Sequence, residues 1–74
     1  MKTRQEFEQT VSELKGERFM LLSERKHHDE TLQGNIPPHV RLHVLQRCIA
    51  IVTRMQSIDY LVHFYTTHMP KEEE

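Results

Sequence analysis

Six histidines and one cysteine are the side chains of this 74-residue sequence with the most obvious chemistry. His39 and His43 stand four apart, a spacing by which one helix presents two nitrogens to a metal ion. His27 and His28 precede them across a Gly/Pro stretch, and His63 and His68 lie far downstream. No carboxylate or second cysteine completes a recognised ligand spacing, so neither a metal nor any other cofactor is expected. His27 and His28 suit instead the negative pole at the end of a helix, and the histidines together form a surface that gains charge below neutral pH. Cys48 reads as a buried structural thiol in a reducing compartment, because a lone cysteine closes no internal disulfide. No glycine-rich phosphate loop, Gly-x-Ser-x-Gly elbow or nucleophile with a base at useful spacing is present. Arg18, Arg25 and Arg54 would bind an anion only in a site built by several chains. No catalytic residue and no small-molecule substrate is therefore assigned, and the chain is read as a non-enzyme.

The elements that hold these residues are legible from apolar spacing. Val44, Cys48, Ile51, Met55, Ile58, Val62 and Tyr65 follow one another at alternating steps of four and three, the seam of a helix lying along another helix. Phe7, Val11, Leu14 and Leu21 keep the same rhythm upstream. It then breaks, because Arg18, Arg25 and His28 fall on seam positions before Leu32 resumes it. Thr3-Arg4-Gln5-Glu6 reads as a capping box, and Gly16, on the side away from Phe7 and Leu14, is tolerated within one long helix. Gly34-Asn35-Ile36-Pro37-Pro38 is the strong punctuation: Gly34 caps the first helix and Pro38 opens the second. The expected elements are a helix over about 3–32, a loop over about 33–38 and a helix over about 38–68, then a frayed acidic tail over about 70–74.

A loop this short makes the helices antiparallel neighbours, and residues facing one another across a turn near Ile36 have numbers summing to roughly 72. Phe7 then meets Tyr65, Leu14 meets Ile58 and Leu21 meets Ile51, while His28 lies near Val44. Arg18 and Arg25 border Met55 and Cys48 with their stems on apolar surface, and Asp59 is an acceptor for Arg18. The fold class is an all-α, coiled-coil-like antiparallel two-helix hairpin, a single domain. Below roughly 70–80 residues one core supplies only about 3–5 kcal/mol, so completion by a partner, or by dimerisation into a four-helix bundle, is expected.

Composition narrows the functional classes. Net charge is −1, with 28% charged and 36% hydrophobic residues. Lys15, Arg18, Arg25, Lys26, Arg41, Arg47 and Arg54 are interspersed with acids, which reads as a solvated, ion-pairing surface and argues against nucleic acid. No apolar run reaches the ~18 residues of a membrane span, and the polar first residues do not resemble a signal peptide. A cytoplasmic location is expected.

Some apolar residues lie outside the seam. Leu42, Ile49, Tyr60 and Phe64 form a second stripe on the same helix, well over about 90° from the first at 100° per residue. Phe19 and Met20 point away from the seam, which Leu21 and Leu22 flank. These six, Phe19, Met20, Leu42, Ile49, Tyr60 and Phe64, are the candidate partner-binding residues, since aromatics and methionine are enriched at interfaces. A covering loop or tail over Phe19 and Met20 is the plainer alternative.

The polar first helix, short loop and apolar-aromatic run Ile49-Ala50-Ile51-Val52 through Ile58-Asp59-Tyr60-Leu61-Val62-His63-Phe64-Tyr65 resemble the small helical-hairpin co-chaperones of bacterial type III secretion needle subunits. The Pro37-Pro38 turn and the Cys/His content depart from that pattern. The resemblance implies a cytoplasmic, non-enzymatic co-chaperone that stabilises a larger chaperone or a secreted subunit. The other reading from the stripe is a homodimeric four-helix regulator acting on a nucleic-acid-bound machine.

Overall fold

The computed structural model describes residues 3–70, and the acidic tail expected over 71–74 lies outside them. Two α-helices account for nearly all of these residues, α1 (Arg4–Gln33) and α2 (Pro38–Thr67), packed as an antiparallel hairpin with no strand among the described residues. The result is a rod of 60 × 15 × 14 Å.

Each helix end follows from local chemistry. The Thr3 hydroxyl accepts from the Glu6 backbone N–H at 3.2 Å, and the Thr3 carbonyl accepts from Phe7 N–H at 3.1 Å. The first of these satisfies one of the amides left over at a helix start, and the second is the first bond of the helix itself. Gly34 occupies the C-cap of α1, and its N–H donates to the Thr31 carbonyl at 3.1 Å. Its backbone is extended (φ −83°), so the cap does not use the left-handed conformation for which glycine is favoured. Pro37 and Pro38 stop the first helix and start the second, with Pro38 at a position whose amide would have no acceptor anyway.

Gly16 lies inside α1 without breaking it, with open space where a Cβ would project. Gly16→Ala therefore removes a helix-interior glycine with no steric cost and should stabilise the hairpin by about 0.5–1 kcal/mol. A urea titration of both forms checks this; an unchanged or lower midpoint would contradict it.

The register is the one expected from the seam. The rings of Phe7 and Tyr65 meet edge-to-face with centroids 5.7 Å apart, and Arg18 Nε donates to Asp59 Oδ1 at 2.7 Å. At the loop end, Arg41 Nη1 donates to the Leu32 carbonyl at 3.2 Å. The core is narrow and belongs to one helix: Val44, Ile51, Met55 and Ile58 are buried, and α1 has no buried residue. Phe7, Val11, Leu14, Leu21, Cys48, Val62 and Tyr65 are half-buried along the same line. Two helices side by side share one line of contact, and both flanks of that line face solvent, so full burial stops at the innermost residues.

Candidate protein-interaction surface

Glu17 and Arg18 are adjacent on α1 and so about 100° apart; they straddle the contact line, and each pairs across a different flank. On one flank Arg54 grips Glu17 through two bonds, Nε to Oε2 at 2.6 Å and Nη2 to Oε1 at 2.8 Å. One turn pair nearer the loop, Arg47 grips Glu24 with the same geometry at 2.6 and 2.8 Å. The His28 ring bonds to the same Glu24 carboxylate at 2.9 Å. His28 is thus not a solvated helix end like His27; its side chain is only 20% exposed and belongs to this charged strip. Forked Arg–carboxylate pairs fix geometry as well as charge, so this flank is sealed.

The bonds donated by Arg47, then that from His28, hold the Glu24 carboxyl down at about 2, against an ordinary 4.5. Glu17 is lowered in the same way by Arg54, and both arginines are raised by their carboxylates. A depressed carboxyl contributes stability in full above its unfolded value and loses it as pH falls through its folded value. The thermal midpoint should therefore drop on acidification from about 4.5 towards about 2, and drop less in Glu24→Gln. Equal drops in the two proteins would remove this pair as the cause.

Eight large apolar side chains among the described residues are exposed, Phe19, Met20, Leu22, Leu42, Leu45, Ile49, Tyr60 and Phe64, all by at least 41%. Five of them lie on α2, in two groups spaced along the helix. Near the loop, Leu42, Leu45 and Ile49 lie within two turns. Near the open end of the hairpin, Tyr60 and Phe64 stack at 6.4 Å, and Phe64 stacks in turn on His68 at 4.2 Å. His68 is fixed there because its backbone N–H and its ring Nδ1 both bond to the Phe64 carbonyl, at 3.0 and 2.8 Å. Phe64 also meets Tyr65 edge-on at 5.7 Å, and Tyr65 meets Phe7. Five rings thus run from the hairpin seam to solvent. Thr53, Gln56 and Ser57 separate this ladder from the loop-end patch and line a shallow depression beside Tyr60.

Phe19 and Met20 are 68% and 69% exposed and, as neighbours on one helix, leave α1 in different directions. Nothing among the described residues covers them. Sequence reasoning placed Leu22 beside the seam and passed over Leu45, yet they are 47% and 43% exposed. The part of His68 in the ladder was also missed, although Tyr60, Phe64 and His68 are spaced four apart and so share a helix face.

Among the described residues no three His, Cys, Asp or Glu side chains converge as metal ligands, and no helix is long and apolar enough to cross a membrane. His39 and His43 are exposed, and Cys48 is a half-buried free thiol. The molecule is thus a small all-α module with an exposed apolar and aromatic surface. No protein-family model matches the chain, and neither a curated protein nor a solved structure shows detectable similarity to it.

Proposed function

We propose that this chain is a non-enzymatic protein-binding module whose ring ladder at the open end seats against a helix of a larger protein. The observation that carries this reading is the exposure of Tyr60, at 68%, in register with Phe64 and His68 on one helix face. A row of flat side chains spaced by one turn is the complement of an apolar helix groove or a second amphipathic helix. Aromatic side chains supply large contact area and, with few rotatable bonds, lose little entropy on docking. Exposed apolar patches of this kind on a small hairpin mark interaction sites.

The finer form of the proposal follows the resemblance to secretion co-chaperones: a cytoplasmic stabiliser of a partner chaperone or of a secreted subunit. A hairpin whose four buried side chains among the described residues all come from one helix gains more from a partner than from its own core, which suits a protein that works only in company. The test is the double variant Tyr60→Ser/Phe64→Ser. Loss of partner binding with helix content unchanged supports the reading; retained binding overturns it.

A further inference from the structure

Histidine aside, α2 carries four charged side chains, and the hairpin uses all of them. Arg47 and Arg54 grip Glu24 and Glu17, Asp59 accepts from Arg18, and Arg41 donates to the Leu32 and Gly34 carbonyls. The opposite face of α2 is thereby left without a charge along its length. Leu42, Gln46, Ile49, Thr53, Tyr60 and Phe64 recur along it at helical spacing, and all are exposed. α1 differs, since Glu8, Lys15, Lys26 and Glu30 share the face that it turns to solvent. The hydroxyls at the centre of the α2 face are already bonded within the helix. Thr53 Oγ1 donates to the Ile49 carbonyl at 2.9 Å, and Ser57 Oγ to the Thr53 carbonyl at 3.2 Å. A face with no charge and with its hydroxyls satisfied can lose its water at little cost.

We infer that, without its partner, this face of α2 is covered by the same face of a second copy, running antiparallel about a two-fold axis at Thr53. The residues at 42, 45, 46 and 49 are the four corners of a hole of the kind that receives one side chain of a facing helix. Three of those corners are the exposed Leu42, Leu45 and Ile49. Tyr60, which stands out into solvent, is the side chain of matching size. Leu42 and Tyr60 are eighteen residues apart, about five turns, so hole and knob point the same way. In a two-fold interface residue i meets j and j meets i. An antiparallel copy therefore offers its hole where this copy offers Tyr60, and the reverse. That register puts Phe64 of each copy on Leu42 of the other, and the two Thr53 side chains on the axis. Gln46, the fourth corner, supplies an amide for the Tyr60 hydroxyl. A nucleic acid or an anionic lipid surface finds no cation on this face, and a helix lacking the same knob and hole at the same spacing fills only one of the two.

The contact from Leu42 to Phe64 is about 33 Å long, and the rod is 15 Å wide. Two such strips bury on the order of 1,000 Å² in total, the lower bound for a specific interface. Association is accordingly weak, with a dissociation constant of about 100 µM. At a few µM the chain is monomeric and its ladder is open to a partner, which competes with the second copy for the same face. The dimer stands on the surface of α2 alone, so its failure would leave the proposed partner untouched.

The experiment is molar mass by sedimentation equilibrium on the untagged chain, from about 5 µM to about 1 mM. The native mass should rise from the 8.9 kDa of one chain towards twice that value. Tyr60→Lys places a charge on the knob and Leu45→Glu places one on the rim of the hole, and each damages both joints of the dimer. Each should raise the dissociation constant about 100-fold or more, leaving a monomer at the highest concentration. An equimolar mixture of the two pairs Lys with Glu at one joint and keeps the native Tyr60 and Leu45 at the other, so the doubled mass should return. Both side chains are exposed, and circular dichroism checks that helix content is native. If either variant loses helix, Thr53→Glu takes its place, because two carboxylates then meet on the axis and the mass should halve. A native monomer at about 1 mM would overturn the inference and leave the face to the partner alone. A native dimer that survives the folded variants would overturn it too, by moving the contact off this face. Variants that dissociate but do not recover on mixing would overturn the two-fold register.

Discussion

Ile51→Ala unfolds most of the isolated chain. Ile51 has no exposed surface and lies level with Leu21 across the hairpin. Truncating a buried isoleucine to alanine costs about 2–5 kcal/mol, the removed methyl groups plus the void they leave. A core of this size supplies only about 3–5 kcal/mol in total. The loss is therefore comparable to the whole margin, whereas in a larger domain the same change would lower the midpoint and leave the protein folded. Circular dichroism at 222 nm should show a native-like signal for the parent and a largely disordered one for the variant. A variant that keeps its helices and melts cooperatively at the parental midpoint would show that the hairpin does not depend on this seam. Ile58, equally buried one heptad on, should behave the same way, while a truncation at Leu42, 58% exposed, should not.

Tyr60→Ser/Phe64→Ser has the opposite signature: binding disappears and the fold stays. Tyr60 is 68% exposed and Phe64 41%, so neither closes the core, and the Phe7–Tyr65 contact that ends the seam is untouched. Burying each such ring in a complex is worth roughly 1.5–3 kcal/mol. Losing both weakens association by a few kcal/mol, on the order of 100-fold or more in dissociation constant. The measurement is a binding isotherm beside a melting curve. Weakened binding with an unchanged melt supports the ladder as the contact surface. A lowered melt would mean that the rings stabilise the hairpin itself, and unchanged binding would move the interface elsewhere.

The hairpin and its register could be read from spacing because the seam is an arithmetic pattern. Once the turn is placed by Gly34 and Pro37-Pro38, every cross-hairpin neighbour follows: Phe7–Tyr65 is where that arithmetic puts it, and Arg18, level with Met55, reaches one turn along α2 to Asp59. The same arithmetic contains Glu17–Arg54 and Glu24–Arg47. These went unread because scattered charges on a helix are normally solvated singly, and only the pairing of the two helices shows that both acids lie on one flank. Gly34 is a subtler case: the residue does end the helix, but with an extended backbone open to other residues. The exposure of Leu22 and Leu45 has another cause. A heptad reading assigns a residue beside the seam to partial cover, yet a second helix shields only one line, and a side chain one position off it stands in solvent. The two flanks were for the same reason indistinguishable until both forked Arg–carboxylate pairs fell on one side and Arg18–Asp59 on the other.

The contacts that tie α1 to α2 differ widely in the length of chain they enclose, from Arg41 to Leu32 near the loop to Phe7 and Tyr65 near the open end. Closing the short span fixes few residues and costs little entropy, and each later contact then closes on structure already in place. The hairpin therefore zips from the turn outward and unzips from the open end inward. Parting Phe7 from Tyr65 disturbs nothing nearer the loop, whereas parting Leu21 from Ile51 first would leave a water-filled bubble between two closed ends. The ring ladder is built on the segment that opens first and at least expense. Whatever docks there clamps the jaw of the zipper, and so raises the protection of every amide behind it from hydrogen exchange.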